Sequence, residues 1–105
     1  MFRELGAVVE VDESLLDAVT AVSGSGPAWF FRFVEALETA AVELGLSPDD
    51  AATLVRATAA GAGQMMLAGD PPSVLRERVT TPNGTTAAGL EAFDKVIDSM
   101  AKEVL

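Results

Sequence analysis

Ser47-Pro48-Asp49-Asp50-Ala51-Ala52-Thr53-Leu54-Val55-Arg56-Ala57-Thr58-Ala59-Ala60-Gly61-Ala62-Gly63-Gln64-Met65-Met66-Leu67 is the run that sets the class of the whole chain. It opens with an N-cap serine, a first-turn proline and two acids at the positive end of a helix dipole, which together start a helix firmly. The Gly69-Asp70-Pro71-Pro72 that follows stops it. Residues 57–63 are almost all small, and each glycine there costs about 1 kcal/mol of helix propensity relative to alanine. Close approach of another helix backbone, within the chain or across a dimer, is the plain reason to accept that cost.

Upstream, Phe30, Phe33, Val34, Leu37, Ala41 and Leu44 recur at three- and four-residue spacing, a second helix with one apolar stripe. Gly45 ends it. Ser23-Gly24-Ser25-Gly26-Pro27 precedes it and reads as a turn, with Ser25 or Gly26 as N-cap and Pro27 in the first turn. Leu15, Leu16, Val19 and Val22 before that turn fit a short helix over 12–22. Ala7 to Val11 is β-branched and reads as a short strand, and Phe2 to Leu5 as the tail of a helix. An isolated strand makes no sheet, so residues 1–11 are expected to be the remnant of an upstream domain or linker, which the resemblance given below would make a nucleotide-binding one.

Downstream, residues 73–79 fit a short helix with Val74, Leu75 and Val79 inward. A last helix starts near Thr85 and places Leu90, Phe93, Ile97, Met100 and Val104 on one face. It meets no stop signal before Leu105, which reads as a truncated end. The expectation is an all-α helical bundle over 12–105.

Bulk properties narrow the function. The chain has 105 residues, seven basic against sixteen acidic for a formal charge of −9, and neither cysteine nor histidine. The charge argues against nucleic acid and anionic membrane as partners. The missing residue types remove thiolate and Ser-His-Asp catalysis, zinc–thiolate sites and the usual neutral-pH proton carrier. No metal-ligand spacing is found among the acids. The uncharged stretches over 18–31 and 57–69 are too short to span a bilayer. A cytoplasmic protein is expected.

Two stretches could carry a ligand. Thr80-Thr81-Pro82-Asn83-Gly84-Thr85-Thr86 combines turn residues with a helix start, where unpaired N–H groups and the macrodipole suit a carboxylate or phosphate. A merely capped turn explains it equally well on the residues alone. Ser23-Gly24-Ser25-Gly26-Pro27 lacks both the spacing of a dinucleotide fingerprint and the lysine of a P-loop. An interhelical turn with a serine cap is its plainer reading.

Taken jointly, residues 17–28 (DAVTAVSGSGPA), Glu35-Ala36, Gly45-Leu46, Leu75-Arg76 and residues 79–90 (VTTPNGTTAAGL) resemble the C-terminal domain of the pyrroline-5-carboxylate reductases, in order and spacing over most of the chain. The resemblance implies a dimerisation domain like the C-terminal one of 6-phosphogluconate dehydrogenase, intertwined with its partner in a homodimer that in some members assembles into decamers. It implies NADPH or NADH as hydride donor, bound mainly by an N-terminal domain that this chain lacks, and a cyclic imino acid reduced to L-proline. It assigns the substrate carboxylate to Thr81 and the N–H groups of Gly84, Thr85 and Thr86, and makes Thr86, its hydroxyl facing the ring nitrogen, the catalytic residue. Ser23, Gly24, Ser25 and Gly26 would lie near the cofactor. Trp29 stands where Tyr or Phe is common, and Thr81 and Asn83 replace the frequent Ser and Gly. A free-standing helical interaction module and another imine or oxo-acid reductase are the alternatives.

Overall fold

The computed structural model describes residues 9–105. The expected helix tail at residues 2–5 and the first part of the expected strand, Ala7 and Val8, fall outside them. Val9, Glu10 and Val11 take no regular structure; a β-branched run without a partner has nothing to pair with. Every regular element among the described residues is helical: a 3-10 turn Glu13–Leu15, α1 Leu16–Thr20, a π turn Ala21–Ser25, α2 Gly26–Glu43, α3 Pro48–Leu67, α4 Pro72–Val79, α5 Thr85–Asp94 and α6 Ile97–Val104. The chain divides into two compact units, with the boundary between Ala51 and Ala52.

In the first unit the expected turn at residues 23–27 is absent. The path stays helical from Glu13 to Glu43; Ser25 (φ −90°, ψ −27°) and Gly26 (φ −50°, ψ −43°) are both right-handed, and Ser25 makes no side-chain cap. Proline explains the difference. Pro27 has no N–H for the carbonyl of Ser23, and in an α-helix its ring would strike that carbonyl. Widening one turn to i→i+5 spacing carries the ring past without ending the helix. The Ser23 hydroxyl donates to the Val19 carbonyl at 2.8 Å, back along the same helix.

α2 ends as its sequence demands. Gly45 is left-handed at φ +113°, its N–H donates to the Val42 carbonyl at 2.9 Å, and the Leu46 N–H reaches Ala41 at 3.2 Å. That pair of bonds is a Schellman ending, which satisfies carbonyls the last turn leaves without donors. α3 then starts on the expected cap, the Asp50 N–H donating to the Ser47 hydroxyl at 3.1 Å, a contact worth about 1 kcal/mol. Its far end repeats the glycine device, with Gly69 at φ +119°.

In the second unit Pro71 caps α4, its carbonyl taking the N–H groups of Val74 and Leu75 at 3.1 Å each. Asp70 and Arg78 clasp the two ends of α4 at 2.6 Å, both half-exposed to solvent. The single helix expected from residue 85 is two: at Lys95 and Val96 the path tightens, the Val96 N–H bonding Phe93 at 3.0 Å before α6 resumes. No glycine or proline marks the step, so residue type alone does not announce it.

Burial departs most from the expected faces. Ala51 is the buried apolar residue among those described, and Gly26 is the other buried position. Along the α2 stripe Val34 and Ala41 are half-buried, but Phe30 is 71% exposed and Leu44 89%. Phe31, off that stripe, is 68% exposed. Of the three α4 residues expected inward, Leu75 is half-buried and Val79 is 60% exposed. Gly61 and Gly63 are half-buried, and a Cβ added to either meets nothing within 4 Å. The close backbone approach expected at these glycines is therefore not made by the described residues of one chain.

Gly45→Ala should lower stability by about 1–2 kcal/mol, the cost of holding a Cβ in left-handed backbone. Arg78→Ala should change it by less than about 1 kcal/mol, because its ion pair is exposed. Thermal unfolding followed by circular dichroism compares the two.

Candidate functional site

The loop between α4 and α5 is built bond by bond. Thr80 leaves the helix in extended backbone (φ −103°, ψ 112°), its N–H on the Glu77 carbonyl at 3.2 Å and its hydroxyl on the Arg76 carbonyl at 2.6 Å. Thr81-Pro82-Asn83-Gly84 then closes a turn, the Gly84 N–H donating to the Thr81 carbonyl at 2.9 Å. Asn83 has φ +63°, the one non-glycine residue at positive φ among those described. Proline second and a left-handed residue third are the signature of a type II turn. Gly84 is required for space rather than for its φ of −87°. A Cβ there would lie 3.0 Å from the Thr81 carbonyl oxygen and 3.4 Å from the Thr81 Cβ.

Gly84 also occupies the N-cap of α5, and having no side chain it caps nothing. The first helical bond runs from the Ala88 N–H to the Gly84 carbonyl at 3.2 Å. The N–H groups of Thr85, Thr86 and Ala87 are left without acceptors among the described residues, at the positive end of the helix dipole. Thr81, Thr85 and Thr86 are exposed, and Gly84 and Ala87 half-buried. Such a cluster is chemically a receptor for a carboxylate or phosphate oxygen.

This geometry redistributes the expected donors. Thr81, Gly84, Thr85 and Thr86 do gather in one turn and the helix start behind it. The Gly84 N–H, however, is consumed in closing the turn, so its contribution is to let the backbone pass close to Thr81. Ala87 supplies a donor that was not anticipated. The rule that the first turn of a helix leaves its N–H groups unpaired would have pointed to it.

Ser23, Gly24, Ser25 and Gly26 fare differently. They lie in the first unit, inside a continuous helical path rather than in a loop. The Ser23 hydroxyl is turned back onto Val19, and Gly26 is buried. These four residues are therefore part of a helical surface rather than the loop that their composition suggests. Gly24 and Ser25 remain exposed. Trp29 is half-buried beside them in sequence. Among the described residues no group of acids is placed to hold a metal ion, and no helix is long and apolar enough to cross a membrane.

The family model described as pyrroline-5-carboxylate reductase dimerisation matches residues 13–104. The chain belongs to this family. The pyrroline-5-carboxylate reductase of Pseudomonas aeruginosa is 53% identical over 83 residues, covering 78% of this chain and 30% of that protein. Pyrroline-5-carboxylate reductase 2 of Bacillus subtilis is 43% identical over 106 residues, covering 100% of this chain and 37% of its own length. Among solved structures, the reductase of Coxiella burnetii superposes with a TM-score of 0.80 at 34% identity, over 90% of this chain and 35% of that one. The Plasmodium falciparum enzyme, with NADP bound, gives 0.78 at 36% identity, over 91% and 36%. The chain thus spans about a third of the pyrroline-5-carboxylate reductases it matches, and the all-α dimerisation fold is the part it shares with them.

Asn83→Ala should cost about 1–2 kcal/mol, the penalty for a Cβ without a compensating polar group in left-handed backbone, and Asn83→Gly should be nearly neutral. Gly84→Ala should cost about 1–3 kcal/mol through the clash with Thr81. Urea denaturation of the three variants tests the turn.

Proposed function

We propose that this chain is the dimerisation and substrate-carboxylate-binding part of a reductase that converts 1-pyrroline-5-carboxylate to L-proline. The observation that carries the reading is the trio of unpaired N–H groups at Thr85, Thr86 and Ala87, set behind a rigid turn in a chain of this family. A carboxylate is the anion such a trio suits, and fixing it orients the ring attached to it. The exposed Thr81 hydroxyl would add a further donor.

The reaction adds hydride to the imine carbon and a proton to the ring nitrogen. NADPH or NADH supplies the hydride, held mainly by residues outside the span matched here, with Ser23, Gly24, Ser25 and Gly26 lying near it. What the chain contributes is position: a clamped carboxylate limits the ring to poses in which the C=N bond can be reached. Thr86 is the catalytic residue in this reading, its hydroxyl facing the ring nitrogen. A threonine hydroxyl is a weak acid, so it orients a water or an already protonated imine rather than giving up its own proton.

A second copy of the chain is the partner this reading assigns. It would cover Phe30, Phe31 and Leu44 and approach Gly61 and Gly63, where one chain leaves open space. The cysteine-free composition suits the reducing cytoplasm.

Sedimentation equilibrium at micromolar concentration should return a dimer; a monomer there would rule out the assigned partner. L-Proline should shift the amide NMR signals of Thr85, Thr86 and Ala87 in that dimer, and unmoved signals would remove the carboxylate site. The chain by itself should oxidise neither NADPH nor NADH measurably, by absorbance at the nicotinamide band.

A further inference from the structure

Thr80 differs from the other threonines of the loop. It is half-buried where Thr81, Thr85 and Thr86 are exposed, and its hydroxyl alone among theirs is engaged, on the Arg76 carbonyl at 2.6 Å. Thr39 and Thr58 make the same bond four residues back, to Glu35 and Leu54, but in mid-helix. There the backbone ladder already serves the carbonyl, and the hydroxyl adds little. At the end of α4 the Thr80 N–H goes to Glu77 instead, so the Arg76 carbonyl has the Thr80 hydroxyl as its donor.

We infer that Thr80 is a positioning residue for the carboxylate site: its hydroxyl fixes where the chain leaves α4 and thereby where the turn sets Thr81 and the N–H groups of Thr85, Thr86 and Ala87. The inference rests on the carboxylate reading of that site. Thr80 is the last residue before the turn, and the Thr81 carbonyl is the acceptor that closes it onto Gly84 at 2.9 Å. With the hydroxyl removed, water can satisfy the exposed Arg76 carbonyl, so the helix loses little. The loop loses its anchor on the α4 side, and part of the binding free energy then goes into reordering it.

Thr80→Val keeps the shape and stiff χ1 of threonine and deletes the donor. In the full chain as its dimer, L-proline titrations followed at the Thr85 and Thr86 amides should show binding weakened about two- to tenfold, the range a neutral hydrogen bond supplies. Amide exchange at Gly84 should quicken, and Thr80→Ser should restore both. Thr39→Val, which deletes the equivalent bond in mid-helix, should change neither. Wild-type affinity in Thr80→Val, or no rescue by Thr80→Ser, overturns the inference and leaves the site standing. A Thr80→Val chain that loses its helical circular dichroism overturns it as well, because the bond would then be holding the fold. No binding by the unaltered chain removes the site and this inference with it.

Discussion

Burial is the constraint on which the rest of the structure depends. A chain whose residues are half hydrophobic ordinarily hides its large side chains, because each buried leucine or phenylalanine stabilises a fold by about 1.5–3 kcal/mol. Here the fully buried apolar residue among those described is an alanine, while phenylalanines on α2 stand in solvent. Local devices are strong by contrast. Two left-handed glycines, a serine cap and the turns at Pro71 and Pro82 fix the helix ends with bonds that need no core. The result is a set of well-delimited helices whose apolar faces are supplied for a surface they do not themselves provide.

That division explains what could be read in advance. Ser47, Gly45 and Gly69 were legible because a cap or a left-handed glycine acts within a few residues. Pro82, Asn83 and Gly84 were legible as a turn for the same reason. The turn also decides which N–H it consumes, and composition does not show that; hence Gly84 was counted as a donor and Ala87 was overlooked. Periodicity identified the faces of α2 and α4 but not what covers them, since spacing is silent on whether the cover is the same chain.

Ser23-Gly24-Ser25-Gly26-Pro27 shows where composition misleads. Serine, glycine and proline are statistical marks of loops, yet the physical demand made by Pro27 is narrow: one missing N–H and one ring to accommodate. A single wide turn meets that demand, and the helix continues. The split between α5 and α6 is the converse case, a change of path at Lys95 and Val96 with no residue of unusual backbone preference to cause it.

The wide turn has a consequence for counting along the helix. A π turn holds one residue more than an α turn, so positions before Ala21 and after Ser25 do not share one 3.6-residue phase. Leu15, Leu16 and Val19 cannot be projected onto the stripe that begins at Phe30; the two sets are read on separate wheels. Loss of one residue from this segment would return the path to α pitch, with Pro27 then facing a carbonyl it cannot serve. The helix faces on either side would stay where they are, because the wide turn already takes up the extra residue without rotating α1 against α2. A relative one residue shorter here, running at α pitch, would therefore present the same face to whatever α1 meets, and would need a residue other than proline where Pro27 stands.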